Sequence, residues 1–506
     1  MGGVNTRLSR LASRLNYAAG AAAFSFSPSI HAELSEYRFT VGIKSSARDS
    51  VLAVCDSVVC GDVFLINGQS NSIFGGSAEV HEYARTFGNN FSPRQGDTLW
   101  TLARADGSGG GPHVGVWGLR MQALLINSVR VPICIINGGV GGTSIAQHQR
   151  NDARPRDMST IYGSMLYRVQ QSGLASKAKA MLWYQGESNT IDGYYAGFKA
   201  MYDDWKVDYP SLQRIYVVQI RPGCAAGEHR DLRDLQRTLP DSLSDIESFS
   251  VMGVAGHDGC HYTVAGYDTI GTQLSRLVLR DFYRSNDTID ISSPDIIKAF
   301  YTDSTRSELA MVFTNARNGL VLTPDVSPDG IVRRIENAFY LDDTLNDWQS
   351  ARASGDTVYL SLGTRGSATT VSYIPSMVYP GSTLVYEGPW VTNQRGVGAF
   401  SFFRYPVTEA DPTVGVGGEH WKRAGVTAHP NPLTNLTTLS IELESSGPIA
   451  IALFDELGRS VVNRIHDGVV GLNRLVLNGS HLTAGMYTCT ISTNGSTQSI
   501  RLVVLR

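Results

Sequence analysis

The sequence lacks several features that would indicate particular classes of protein. No stretch approaches the roughly 18 consecutive apolar residues that a membrane-spanning helix needs, so no membrane span is predicted. Excess positive charge is absent too: the formal net charge is −3, and nothing in the composition indicates a nucleic acid partner. Charged residues make up only 18% of the chain, whereas glycine occurs 52 times, which is typical of a loop-rich, β-rich protein. The 506 residues are too many for one hydrophobic core, so we expect roughly two to four domains.

Cysteine is scarce and irregularly placed. The six cysteines form no C-x-x-C pair and have no histidine at zinc-site spacing, so the sequence predicts no metal site. Cys134 lies in an apolar run and is interpreted as a small buried hydrophobic residue. Cys224 and Cys260 each lie just beyond a predicted strand, so an oxidising compartment would allow a disulfide between them. Spacing alone leaves that pairing open.

The N-terminal segment, residues 1–32, has the pattern of a weak export signal. Three arginines precede a short apolar stretch at 17–24, and a small-residue cleavage pattern follows at 30–32. The apolar part is short for a signal peptide. A weak signal, an unstructured segment and a start inside a longer gene therefore all stay open.

Residues 61–283 alternate short apolar strands with amphipathic segments. This alternation predicts right-handed βαβ crossovers and a five-stranded parallel sheet with helices on both faces, an α/β fold. The predicted strands lie at 63–66, 131–136, 180–183, 215–220 and 250–254. Ligands of such sheets bind beyond the carboxyl ends of the strands. The residues that follow those ends should gather at that edge: Ser70, Gly141, Gly142, Gln185 and Asp258.

The remaining segments are predicted to be β-rich. Residues 33–60 contain alternating runs and form a β-strand lead-in. Residues 284–408 alternate apolar and polar residues between turns, which predicts a β-sandwich accessory domain. A polar linker at 409–424 precedes a second small β-sandwich at 425–506.

Ser70 is the candidate nucleophile, because it follows a strand in the turn Gly68-Gln69-Ser70-Asn71. A serine needs a base within hydrogen-bond reach and a third group that orients the base. Asp258 and His261 supply both, with the carboxylate expected to reach Nδ1 while Nε2 faces the serine. The structural alternative is that Ser70 and Asp258 only cap the helices that follow them.

Two further loops offer oxyanion donors. The glycine-rich stretch 137–144 follows a strand but lacks the lysine of a phosphate-binding loop, so a backbone N–H donor beside the serine fits better. In the loop 183–189, Gln185 is the better candidate for a side-chain donor. Glu187 is interpreted as a structural carboxylate that organises the loop.

Four blocks, at 68–71, 141–144, 185–189 and 258–261, together resemble the SGNH hydrolase superfamily. Within it they resemble the sialate O-acetylesterase branch, which includes plant and bacterial carbohydrate acetylesterases. The resemblance implies a flavodoxin-like three-layer fold and ester hydrolysis without a cofactor. Family members usually have methionine after the first block, whereas this chain has Ser72, which puts the substrate preference in question.

The same resemblance implies a role for each matching residue. Ser70 is the nucleophile, His261 the base and Asp258 the orienting acid. The oxyanion hole consists of the Ser70 and Gly142 amides with the Gln185 side chain. The blocks contribute further supporting residues: Gln69, Asn71, Gly141, Glu187 and Asn189.

The C-terminal segments 429–432, 453–459 and 482–487 resemble the type A sorting domain of the type IX secretion system. The resemblance implies a bacterium of the Bacteroidota group or a relative, and a protein carried through the periplasm to the cell surface or medium by that machinery. An ordinary β-sandwich, such as a carbohydrate-binding module, is the alternative.

Taken together, these patterns predict a secreted serine esterase that removes acetyl groups from carbohydrates through an acetyl-enzyme. An acetylxylan esterase or another short-chain carboxylesterase is the alternative within the enzymes. A surface glycan-binding protein with an inactive hydrolase domain is the alternative outside them.

Overall fold

The computed structural model describes most of the chain in two compact units, Met1–Asp411 and Pro412–Arg506. The described residues are 9–16, 18–45, 48–89, 98–107, 113–224, 228–243, 245–345, 348–409, 426–443, 446–455, 459–493 and 496–505. The first unit begins with an antiparallel hairpin of β1 (Tyr37–Lys44) and β2 (Asp49–Val58), which corresponds to the predicted lead-in. No helix in the described part of the chain is long and apolar enough to cross a membrane.

A seven-stranded sheet forms the centre of the first unit. Its strands are β3 (Asp62–Gly68), β4 (Ala84–Phe87), β5 (Trp100–Leu102), β6 (Ile133–Asn137), β7 (Ala178–Tyr184), β8 (Arg214–Gln219) and β9 (Ile246–Ser250). Their order is β5-β4-β6-β3-β7-β8-β9, and every neighbouring pair is parallel except β4 and β5. The order of β6-β3-β7-β8-β9 is that of a doubly wound α/β sheet.

The prediction of five strands was incomplete, and one strand was misplaced. The two additional strands, β4 and β5, have only four and three residues, so neither gives a run that sequence patterns can detect. The fifth predicted strand, at 250–254, lies instead at Ile246–Ser250. The apolar residues of this strand are separated by polar ones, so the strand gives no continuous apolar run. The apolar residues that follow it are buried in a turn.

In the described residues, six α-helices connect these strands or follow them. They are α1 (Ser70–Ile73), α2 (Val116–Val129), α3 (Ile161–Gln171), α4 (Tyr194–Asp208), α5 (Arg230–Ser242) and α6 (Val264–Tyr283). Helices α3 and α6 start at threonines whose hydroxyl oxygens accept the N–H groups of Gly163 and Gly266, as helix caps do. Helix α2 packs closely on α6, since a Cβ on Gly271 would lie 2.4 Å from the carbonyl oxygen of Trp117.

The central strands are buried on both faces, and this explains their continuous apolar runs. Phe64, Leu65 and Ile66 of β3 are fully buried. Burial of such a run stabilises the folded state by about 25 cal/mol for each Å² of apolar surface that is removed from water. The sheet is therefore the rigid part of the unit. The loops at its carboxyl edge are therefore held on a stable frame.

A second hydrophobic core lies in residues 284–408, which we call the accessory β-region. Its strands are β10 (Ile296–Tyr301), β11 (Glu308–Phe313), β12 (Leu320–Leu322), β13 (Phe339–Leu341), β14 (Thr344–Leu345), β15 (Trp348–Ser354), β16 (Thr357–Leu362), β17 (Thr370–Tyr373), β18 (Val391–Asn393) and β19 (Phe402–Pro406). They form the antiparallel sheets β10-β11-β16-β15 and β14-β13-β17-β19 and the pair β12-β18. The region belongs to the same compact unit as the seven-stranded sheet.

The second unit is built of antiparallel strands around its own core. Its strands are β20 (Val426–His429), β21 (Leu436–Leu443), β22 (Gly447–Phe454), β23 (Ser460–Gly468), β24 (Gly471–Asn478), β25 (Gly485–Thr493) and β26 (Ser496–Val504). They form the sheets β20-β21-β24 and β23-β22-β25-β26. The predicted linker at 409–424 lies, apart from residue 409, outside the described residues.

Candidate active site

Ser70 lies in a sharp turn at the carboxyl end of β3. Gly68 has a φ of +144°, and a Cβ at this position would lie 2.0 Å from the carbonyl oxygen of Tyr184 on the neighbouring strand β7. The N–H of Gln69 donates to the same oxygen at 3.0 Å. The chain therefore leaves the sheet abruptly, and Ser70 is half-buried at the first position of α1.

His261 contacts this serine. Its Nε2 lies 2.9 Å from Ser70 Oγ, although the two residues are 191 positions apart in the chain. The imidazole stacks on Phe74 at a centroid distance of 5.1 Å, and Phe74 stacks in turn on Tyr267 at 5.0 Å. These stacked rings hold the imidazole in the plane from which it reaches the hydroxyl. The geometry suits a base that takes a proton from a serine.

Asp258 braces the turn that carries His261. One carboxylate oxygen accepts the backbone N–H of Cys260 at 2.8 Å and that of His261 at 2.7 Å. The His261 N–H is the main reason why the pKa of the Asp258 carboxyl is below its usual value. No hydrogen bond in the structure joins this carboxylate to the imidazole of His261, in contrast to the contact expected from the sequence. Both bonds lie within the turn, whereas the helix that follows, α6, is capped by Thr263, and the negative charge stays beside the imidazole.

Cys224 and Cys260 are joined by a disulfide in the structure, so the pairing that the sequence left open is resolved. The N–H of Cys224 also donates to the carbonyl oxygen of Gly259 at 2.7 Å. The loop after β8 is thereby tied to the turn of Asp258 and His261. The two sulfurs and His261 lie within 4.8 Å of one another, but sulfurs bonded to each other offer no thiolate to a metal ion.

The glycine-rich loop after β6 lies beside the serine. A Cβ on Gly141 would be 3.7 Å from Ser70 Cβ, and Gly142, with a φ of +70°, has open space around it. The N–H of Val140 donates to the carbonyl oxygen of Gly68 at 3.0 Å, which fixes the loop to the serine turn. The loop brings exposed backbone next to the hydroxyl, as an oxyanion donor requires.

Gln185 is fully buried, and its side-chain N–H groups already have acceptors. They donate to Thr143 O at 3.0 Å, Asn189 Oδ1 at 2.6 Å and Gln69 Oε1 at 3.2 Å. Asn189 Oδ1 also accepts the N–H of Ile145 at 2.8 Å. The arrangement favours a supporting role for Gln185 over the oxyanion donor expected from the sequence. Sequence alone could not indicate this, because the three acceptors come from three separate loops.

Glu187 lies buried beneath the serine turn. Its Oε1 accepts the side-chain N–H of Asn71 at 2.6 Å, while its Oε2 is buried without a partner. Asn71 donates as well to the carbonyl oxygen of Cys260 at 3.1 Å and accepts from the Tyr267 hydroxyl. Burial raises the pKa of Glu187 to about 7. The structural interpretation of Glu187 agrees with these contacts, which connect the serine turn to the histidine turn.

Ser72, the residue that departs from the family pattern noted in the sequence, is fully buried. Its hydroxyl donates to the carbonyl oxygen of Gln69 at 2.6 Å. A Cβ on Gly139 would lie 2.1 Å from this hydroxyl oxygen, so the glycine loop packs tightly over it. The difference from the usual pattern therefore affects packing below the serine turn.

Comparison with known proteins agrees with this geometry. Residues 60–280 match the carbohydrate esterase family of sialic acid-specific acetylesterases. Residues 427–505 match the C-terminal sorting domain of a secretion system. The sorting domain indicates secretion to the cell surface or the extracellular space by the type IX machinery. These two matches support a secreted carbohydrate esterase.

Two solved structures are similar to parts of the chain. A carbohydrate acetylesterase from Xanthomonas citri is 18% identical with a TM-score of 0.50, and the match covers 72% of this chain and 84% of that one. A protein from Arabidopsis thaliana is 22% identical with a TM-score of 0.36, covering 44% of this chain and 98% of the other. No curated protein matches the sequence. At this identity the first similarity establishes the mixed α/β fold alone.

Proposed function

We propose that this esterase hydrolyses O-acetyl esters of carbohydrates with Ser70 as its nucleophile. The observation that carries the proposal is the 2.9 Å contact between His261 Nε2 and Ser70 Oγ at the open carboxyl edge of the sheet. A serine hydroxyl without a base is a poor nucleophile, and this contact supplies the base. The match of residues 60–280 to acetylesterases of sialic acids makes O-acetylated sialic acids the first substrates to test.

In the proposed first step, Ser70 Oγ attacks the acetyl carbonyl carbon as its proton moves to His261 Nε2. The oxyanion that forms is stabilised by the backbone N–H groups of Ser70 and Gly142. His261 then gives the proton to the departing sugar oxygen, which leaves an acetyl ester on Ser70. Water attacks this ester with His261 again as the base, and acetate and the free serine are released.

Asp258 acts in this scheme through its charge and through the turn. A carboxylate close to the imidazole favours the imidazolium that forms when the serine proton is taken. By accepting the N–H of His261 at 2.7 Å, it also fixes the backbone from which the ring extends. Removal of the carboxylate should therefore slow the chemical step more than it weakens substrate binding.

Hydrolysis of an aryl acetate by the wild type and by Ser70→Ala tests the proposal. We expect the variant to lose activity by roughly 10³-fold or more, since the residual rate comes from the oxyanion site and binding alone. Ser176→Ala, an exposed serine in the turn before β7, is the matched control and should keep the wild-type rate. Equal rates for the wild type and Ser70→Ala would contradict the proposal and favour a glycan-binding protein with an inactive hydrolase domain.

A substrate panel then decides between carbohydrate classes. Acetylated sialic acids, acetylxylan and aryl esters of increasing acyl length are compared by kcat/KM. A preference for sialic acid acetates supports the proposed substrate. A preference for acetylxylan, or equal rates on longer acyl chains, identifies the acetylxylan esterase or the general short-chain carboxylesterase instead.

A further inference from the structure

The turn that carries Asp258 and His261 is held by the accessory β-region. Glu387, from the segment before β18, accepts the backbone N–H of His257 at 2.9 Å. The same carboxylate oxygen accepts a guanidinium N–H of Arg221 at 3.0 Å. A residue of the accessory β-region therefore bonds the first residue of the histidine turn, 130 positions earlier in the chain.

Arg221 is almost completely buried between the two parts of the unit. Its guanidinium donates to the carbonyl oxygens of Val254, at 3.1 Å, and Tyr386. The ring centroids of Trp390 and Tyr262 lie 4.9 Å and 5.8 Å from its central carbon. A buried cation needs a counter-charge, and Glu387 is the carboxylate that pairs with it. The charge pair fixes the place of Glu387 at the turn.

The rest of the turn also rests on this contact. His257 is buried, and its Nδ1 accepts the N–H of Gly259 at 3.1 Å, so the ring supports the chain that leads to His261. Burial lowers the pKa of His257 to about 3, which keeps the ring neutral and able to accept. Gly259, with a φ of +101°, lies against Val385, since a Cβ there would be 3.2 Å from the valine methyl. One side of the turn is thus covered by the segment that contains Glu387.

We propose that Glu387 is a positioning residue of the esterase: it holds the His257–His261 turn so that His261 meets Ser70. The accessory β-region is then part of the catalytic apparatus and is more than an appended module. The inference rests on the proposed function, because it concerns the geometry of the same serine and histidine. A displacement of about 1 Å at such a site costs on the order of 100-fold in rate.

Glu228→Gln is the matched control. Glu228 bonds the same accessory segment, accepting from the Ser376 hydroxyl and the Met377 N–H, each at 3.1 Å. It makes no hydrogen bond to the histidine turn. Its loss should therefore weaken the contact between the two regions without moving His261.

The experiment uses the full chain and three variants: Glu387→Gln, Glu387→Ala and Glu228→Gln. Aryl acetate kinetics give kcat and KM, and the rate of labelling by a fluorophosphonate reports the reactivity of Ser70 without carbohydrate binding. Hydrogen exchange of the peptide around 255–263 reports the order of the turn. All rates are measured well below each variant's melting temperature, so that unfolding does not contribute.

We expect Glu387→Gln to lower kcat and the labelling rate roughly 10-fold, with KM little changed and faster exchange in the turn. Glu387→Ala should lower them further, and Glu228→Gln should match the wild type. Glu387 has no positioning role if both Glu387 variants are labelled and turn over at the wild-type rate. The same conclusion follows if Glu228→Gln lowers kcat and the labelling rate as much as the Glu387 variants do. A wild type that neither labels nor hydrolyses the ester would instead overturn the proposed function. If Glu387→Ala does not fold, the exchange and labelling of Glu387→Gln decide.

Discussion

Single side chains around Ser70 are held by partners from distant parts of the chain. Asn71 joins Glu187 to the carbonyl oxygen of Cys260, and Phe74 supports the imidazole of His261. Each contact fixes one atom group of the site rather than adding a reactive one. Most residues of the four sequence blocks therefore support the site. Only two groups, the Ser70 hydroxyl and the His261 imidazole, meet in the arrangement of a nucleophile and its base.

Glu187 offers a test of this buried support through pH. The folded protein keeps its carboxyl protonated up to about pH 7, whereas the unfolded chain releases that proton near 4.5. Between these values the folded state binds more protons, so its stability falls as the pH rises through the window. Glu187→Gln cannot ionise and retains an oxygen that accepts from Asn71. We expect it to gain up to about 3 kcal/mol over the wild type between pH 4.5 and 7.5.

Urea unfolding of both proteins at several pH values, followed by near-ultraviolet circular dichroism, measures this difference. Glu79→Gln, at an exposed position, serves as the control for removal of a surface carboxylate. Parallel curves for Glu187→Gln and the wild type would show that Glu187 is already ionised in the folded protein at pH 5.

At the scale of elements, the site depends on how closely β3 approaches β7. Gly68 has a φ in the region that favours glycine, and a Cβ would lie 2.0 Å from the Tyr184 carbonyl oxygen. The two strands cannot separate without breaking the parallel ladder that positions both the serine and the Gln185 loop. Any side chain at Gly68 therefore strains the turn and moves Ser70.

Gly68→Ala should therefore destabilise the first unit by about 3 kcal/mol or more, combining backbone strain with overpacking. Gly173→Ala is the matched control, because Gly173 also has a positive φ of +75° but has open space where the Cβ would lie. It should cost only about 1 kcal/mol. Thermal unfolding of the two variants measures both effects, and equal losses would mean that the close approach at β7 is relieved elsewhere.

At the scale of the whole molecule, the chain divides after the accessory β-region and not before it. Gln219, at the end of β8, bonds both the N–H and the carbonyl oxygen of Ser401, at 3.0 and 2.8 Å. The buried guanidinium of Arg233 donates to Ile374 O at 3.0 Å and to Ser401 Oγ at 2.7 Å. Without the accessory β-region these buried polar groups would lose their partners, at a cost of several kcal/mol.

A protein that ends at Asp411 should accordingly fold and keep the aryl acetate activity of the full chain per mole. A protein that ends at Tyr283 should fail to fold or should lose that activity, since it removes the second core and the partners that the accessory β-region gives to Gln219 and Arg233. Circular dichroism and the esterase assay compare the two. An active protein ending at Tyr283 would show that the first unit divides after α6.

Local patterns were enough to predict the α/β class, the strand before Ser70 and the presence of Asp258 and His261 in one turn, while a family resemblance indicated the sorting tail. These features depend on residues close together in the chain: apolar runs, a turn after a strand, a spacing of three. Strand ends of a parallel sheet share an edge, so the approach of Ser70 to His261 also followed from sequence. The prediction did not include β4 and β5, because strands of so few residues show no periodic pattern of apolar residues.

The sequence by itself determined which chemical groups arrive at the sheet edge, because the strands and the turns that follow them are predicted from local pattern. Only the tertiary structure decided which of them are free to act. Gln185 donates to three acceptors, Asp258 bonds the backbone of its own turn, and Glu387 reaches that turn from 130 residues away. Hydrogen-bond partners depend on distances between segments far apart in the chain, and no spacing along the sequence encodes those distances.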